Sequence, residues 1–348
     1  MKERSANADC ARFIAALIIM AYHIFHTGVG EDLLHEAWIY VEFFLLITGY
    51  YTAKHYSKTD VVNHSKDAFQ YTLKKFIPLF PYALIVTVFG WITQGGAGII
   101  LYGWTWNNFI INLMGDFIFD VLLISDSFGE PLIGPLWYVS AMLIVFPFFC
   151  LLVQIKNRYT KVLICTICPL MYYGWIGVTA PRAFPHDMLR VLAGMMLGVL
   201  LYELSVIFEE HIRTAPKMVI TVIELLTFAY PIYGVFIKFV ERGFTTTRVY
   251  LLCFFVCLLF CLPGFSYTAK IKGKFFNYLG RLSMPIYIFH WYIGTLANLF
   301  GSKYGWERNR RIIIYISVTI CFSIFIMFII EHLPKWNEFL KRDIKLID

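Results

Sequence analysis

The sequence predicts an all-α polytopic membrane bundle of about ten spans. It reads as a single integral-membrane domain over residues 1–348, with both termini cytoplasmic. Three observations carry that expectation. The chain is 59% hydrophobic and 15% charged, where a soluble domain carries about 25% charged residues, and its mean hydropathy is +0.65. Apolar runs of roughly 20 residues, the length a helix needs to cross a bilayer, recur along the whole sequence. The basic residues sit mostly in the short segments between those runs. Of the 30 lysines and arginines, 21 fall on the side that holds the termini when an even number of spans is counted. That bias places the termini of this multi-pass chain in the cytoplasm. The same placement reads the net charge of +7 as a topology signal within a lipid bilayer, so no nucleic-acid partner is expected.

Taken in order, the expected spans run from residues 11 to 27, 38 to 53, 76 to 93, 136 to 153, 162 to 178, 188 to 208, 218 to 237, 249 to 265, 283 to 300 and 312 to 330. Pro78 and Pro81 fall in the first turns of the third, where a missing N–H costs nothing. Residues 94–135 form the longest interruption and contain no lysine or arginine. They read as an extracytoplasmic loop whose apolar middle forms a surface or re-entrant helix. The run Asp126–Pro131 and the prolines Pro181 and Pro185 mark turns. In the sixth span, Gly194-x-x-x-Gly198 supplies a small-residue face for close helix packing. Thr48-Gly49 in the second does the same. The eight cysteines fall mostly within apolar runs and read as small packing residues, with no metal site and no disulfide expected.

The first span carries two costly residues, Arg12 and His23. A charge at mid-bilayer costs roughly 2.5–3.5 kcal/mol on insertion scales. Eleven positions at about 100° each bring both residues onto one helix face, roughly 16 Å apart along the axis. Arg12 at the cytoplasmic end suits an anionic group. His23, deeper, suits a general base, because imidazole titrates near neutrality; a buried helix–helix hydrogen bond is the plainer alternative. His26 reads as an exposed histidine. Glu42 lies one turn into the second span, and an intramembrane carboxylate marks either a site or a structural pair. Lys74 and Lys75 stand at the cytoplasmic start of the third span, placed for phosphate or for ordinary anchoring. Trp137 and Tyr138 match an interfacial belt or the wall of a sugar site. Arg190 opens the sixth span within reach of an outer polar site, and Tyr287 and His290 share a face of the ninth. Two histidines, a carboxylate and an arginine inside a bundle fit an enzyme or a transporter. The residues alone leave both open, together with a scaffold role.

The order of motifs then resembles the membrane acyltransferase-3 family. Arg12 followed by ten residues and His23 resembles its first-helix signature. Val41 to Tyr50 resembles its acidic, Phe-Phe, Ser-Gly second helix, with Thr48 in place of serine. Lys75 to Tyr82 is similar to its basic third-helix start, with Lys75 at the first position and Pro78 at the second, where the family often has arginines. Leu136 to Ser140 resembles its Leu-Trp-Tyr segment, without the acidic residue that commonly follows. Leu279 to His290 is similar to its late Tyr-rich, His-ending helix, with Met284 replacing a tyrosine, and Glu331 to Pro334 resembles the terminal Glu-x-Pro. The resemblance implies O-acylation, most often O-acetylation, of a glycan or lipid-linked saccharide outside the membrane. The acyl group comes from cytoplasmic acyl-CoA, acetyl-CoA in the usual case, as a co-substrate rather than a bound cofactor. It implies His23 as base or acyl carrier, Glu42 as its orienting partner or an acceptor ligand, and Arg12, Lys74 and Lys75 as holders of the CoA phosphates. Trp137, Tyr138, Arg190, Tyr287 and His290 are implied at the substrate. A flippase for a lipid-linked saccharide is the competing expectation.

Overall fold

The computed structural model describes residues 5–30, 34, 36–102, 105–125, 134–176, 186–236 and 244–333. The expected turns at 126–131 and 181–185 and the tail after Leu333 lie outside the described residues. Within them all regular structure is helical. The helices are α1 (Ala6–His26), α2 (Tyr40–Tyr56), α3 (His64–Phe76), α4 (Phe80–Tyr102), α5 (Trp106–Val121), α6 (Leu136–Val153) and α7 (Arg158–Met171). They continue with α8 (His186–Ile207), α9 (Glu209–Thr214), α10 (Lys217–Phe236), α11 (Phe244–Cys261), α12 (Lys274–Lys303) and α13 (Arg308–Glu331).

Among the described residues, 6 helices are long and apolar enough to cross a membrane. They lie in the regions expected for the first, third, fourth, sixth, seventh and tenth spans. Helix α2 is apolar but has 17 residues, and α11 holds a shorter apolar segment, Arg248–Cys261. In α13 the most apolar stretch has hydropathy 2.7, yet only 28% of it is buried within the protein. Ile313, Phe325 and Phe328 point outward there. Apolar surface on that scale is tolerated when lipid is the solvent. The chain is a multi-pass membrane protein.

Local chemistry explains the helix limits. Asn63 and Asn157 cap α3 and α7 by accepting the N–H of Lys66 and Thr160, at 3.0 and 3.1 Å. The amphipathic α3 gives way to α4 through a 3-10 turn, Ile77–Leu79, that contains Pro78. The expected start of the third span coincides with that break. Its expected end does not: residues 94–102, expected in a loop or re-entrant segment, continue α4. The run is apolar enough to extend the helix through Gly95 and Gly96. Helix α5 then packs back on α4, with the Trp91 and Phe117 rings 5.3 Å apart.

Two helix pairs make the core, α1 against α12 and α2 against α8. Both depend on glycine. A Cβ on Gly49 would strike the Met195 carbonyl, and one on Gly198 the Leu46 carbonyl, so α2 and α8 meet backbone to backbone. Gly280 and Gly294 on α12 make room for Asp9 and Thr27 near the two ends of α1. The small-residue faces expected at Gly49 and at Gly194-x-x-x-Gly198 thus lie at a single contact.

Candidate active site

The close pairing of α1 with α12 brings His23 and His290 together, with His23 Nδ1 3.1 Å from His290 Nε2. Two backbone carbonyls assign the tautomers. His290 Nδ1 lies 3.1 Å from the Ile286 oxygen and His23 Nδ1 lies 2.8 Å from the Ile19 oxygen. A carbonyl only accepts, so both Nδ1 atoms carry hydrogen. His290 Nε2 then offers its lone pair to the His23 Nδ1–H, which it shares with Ile19. In the neutral ring the lone pair of His23 therefore resides on Nε2, the state a general base needs. His290 is fully buried, and Pro285 sits in the same helix just before Tyr287 and His290.

A second polar group is built where α2 meets α8. Glu42 is 0% exposed and Arg190 4%. Arg190 Nε donates to Glu42 Oε1 at 2.6 Å, and the Tyr173 hydroxyl donates to Glu42 Oε2 at 2.7 Å. The guanidinium also lies over the Trp38 and Trp137 rings, 4.8 and 5.2 Å from their centroids. A buried ion pair is stable only with further partners around it to offset the lost hydration. Here an opposite charge, a tyrosine and two π faces surround it. Gly194 faces Leu45 and Glu42 Oε2, so a side chain there would crowd the carboxylate.

The two groups share a cavity of about 20 Å³, room for a water or two. His23, Arg190, Tyr287 and the tryptophans 38, 137 and 291 line it. A smaller apolar-walled cavity lies among Arg12, Phe44, Tyr138, Ser283 and Met284. Val41 and Tyr287 belong to both and form the partition between them. Arg12 is partly exposed at the start of α1 and pairs with Asp9 at 3.3 Å.

Residues 5–330 match the sequence model of a family described as an acyltransferase domain. The chain belongs to the acyltransferase-3 family. No curated protein and no solved structure matches it.

In this membrane acyltransferase the residues singled out by sequence fall into three groups. His23, Trp137, Arg190, Tyr287 and His290 converge on the cavity of about 20 Å³ or its wall. Arg12 and Tyr138 line the other cavity, with the Tyr138 ring 6.1 Å from that of Trp137. Lys74 and Lys75 lie on α3, away from both cavities, with Lys75 Nζ 5.1 Å from the Tyr71 ring centroid. Glu42, implied as the orienting partner of His23 or an acceptor ligand, has its two oxygens on Arg190 and Tyr173, and the side chain that meets His23 Nδ1 is His290. Sequence reading passed over Trp38, Tyr173 and Trp291. Trp38 stands four positions before Glu42 and Trp291 follows His290, so their spacing offered a signal.

Proposed function

We propose that the protein is an O-acyltransferase that moves an acetyl group from cytoplasmic acetyl-CoA to a hydroxyl of an extracytoplasmic or lipid-linked glycan. The observation that carries this reading is His23, held at its Nδ1 by His290 on the wall of a cavity that three tryptophans also line. Aromatic walls suit the apolar faces of a sugar ring, and a positioned imidazole suits removal of a hydroxyl proton. The acceptor oxygen attacks the thioester carbonyl carbon while His23 Nε2 takes its proton. The C–S bond then breaks, and the departing sulfur receives that proton. The imidazolium formed in between is stabilised through its Nδ1–H by His290. Arg12 and, at the membrane surface, Lys74 and Lys75 supply positive charge for the CoA phosphates on the cytoplasmic side.

The test uses purified protein in detergent with acetyl-CoA and extracted surface glycan. Free thiol should appear only when both substrates are present. His23→Ala should lower the rate by about 10²–10⁴, the usual worth of general acid–base catalysis. A flippase would consume no acetyl-CoA at all.

A further inference from the structure

We infer that Arg190 is a catalytic residue that receives the oxyanion of the acyl group, a role distinct from its pairing with Glu42. Three observations meet at this side chain. It is 4% exposed. Its Nε is committed to Glu42 Oε1 at 2.6 Å, which fixes the guanidinium plane. Its Nη2 is buried with no hydrogen-bond partner, and the residue lines the cavity that also holds His23. A buried N–H without an acceptor is costly, so a place where one persists calls for a ligand oxygen.

Charge selects the oxygen. Glu42 already balances the guanidinium, so the pair presents an oriented N–H rather than a bare cation. Such a donor holds a neutral carbonyl weakly and a developing oxyanion strongly, and that difference accelerates a reaction. His23 and Arg190 line the same cavity of about 20 Å³, so one reacting group there can meet both the base and the donor. As the acceptor oxygen bonds to the carbonyl carbon, the π electrons pass to the carbonyl oxygen and Arg190 Nη2–H donates to it. When the C–S bond breaks those electrons return, and the sulfur takes the proton held on His23 Nε2.

The inference rests on the proposed acyl transfer, and the experiment separates the two. Arg190→Lys retains a cation for Glu42 but has one nitrogen to serve both partners. With acetyl-CoA and surface glycan, kcat should fall about 10²-fold, the scale of one oxyanion donor, and the KM for each substrate should stay within about threefold. A kcat within about threefold of the parent, or a loss seen only in the glycan KM, overturns the assignment. Should Arg190→Lys fail to fold, the Glu42→Gln/Arg190→Gln pair removes both buried charges at once, and the same kcat criterion decides. A parent protein that releases no thiol with both substrates sinks the transfer reading itself, and this inference with it.

Discussion

At the scale of single residues, the chemistry turns on which atom of His23 holds the proton. The Ile19 carbonyl and His290 Nε2 both draw hydrogen to Nδ1, at 2.8 and 3.1 Å. In the proposed transfer His290 is thus a positioning residue. His290→Phe keeps a ring of similar bulk and removes the acceptor nitrogen, leaving one fewer partner to hold the His23 ring beside the Ile19 carbonyl. The expected result is a kcat lowered roughly tenfold to a hundredfold, the cost of slight misplacement of a reacting group. The acetyl-CoA KM should be unchanged, since the proposed reading assigns the donor phosphates to Arg12, Lys74 and Lys75. Steady-state thiol release measures both constants, and a change confined to KM would remove His290 from this role. The partnership was only half legible. Intramembrane histidines announce themselves by their cost, and the sequence placed His23 and His290 on apolar helices. Periodicity gives the face of a helix and not the helix it meets, so Glu42 was expected beside His23 where the structure has His290.

At the scale of elements, the α2–α8 contact decides whether Glu42 and Arg190 can meet. Their approach is set by Gly49 and Gly198, whose hypothetical Cβ atoms would collide with backbone rather than with a movable side chain. Backbone cannot yield without separating the helices. Gly198→Ala is therefore expected to destabilise the protein by about 1–3 kcal/mol, the usual cost of overpacking, and to lower its unfolding temperature in detergent. Gly174→Ala provides the comparison, because a Cβ there meets nothing within 4 Å; its effect should stay within about 0.5 kcal/mol. Equal unfolding temperatures for the two variants would refute the packing argument. The two small-residue faces were readable in advance, though not that they meet each other. Small residues at i and i+4 have a direct steric meaning in a membrane helix, whereas the length of α4 beyond Thr93 rested on a weak choice between helix and loop through two adjacent glycines.

At the scale of the whole molecule, two small neighbouring cavities share Val41 and Tyr287, with His23 and Arg190 lining one and Arg12 the other. A donor that arrives at Arg12 and an acceptor that arrives at the tryptophans must meet across Val41 and Tyr287. The partition serves a purpose in that scheme. A thioester next to His23 is open to attack by water as well as by a sugar hydroxyl, and a wall that opens only for the acyl arm keeps water from the donor side. Tyr287 supplies most of the bulk, its ring standing 5.7 Å from Tyr138 and 5.9 Å from His290. Tyr287→Ala should join the cavities. Hydrolysis of acetyl-CoA without glycan should then rise several-fold while transfer to glycan falls, because the acyl group is no longer delivered to an ordered acceptor. Thiol release with and without glycan measures the two rates in one preparation. Tyr287→Phe keeps the wall and loses only the hydroxyl, so it should keep the low hydrolysis rate of the parent. If the alanine variant also hydrolyses no faster than the parent, the two cavities are not the two ends of one acyl path, and donor and acceptor must share the His23 side.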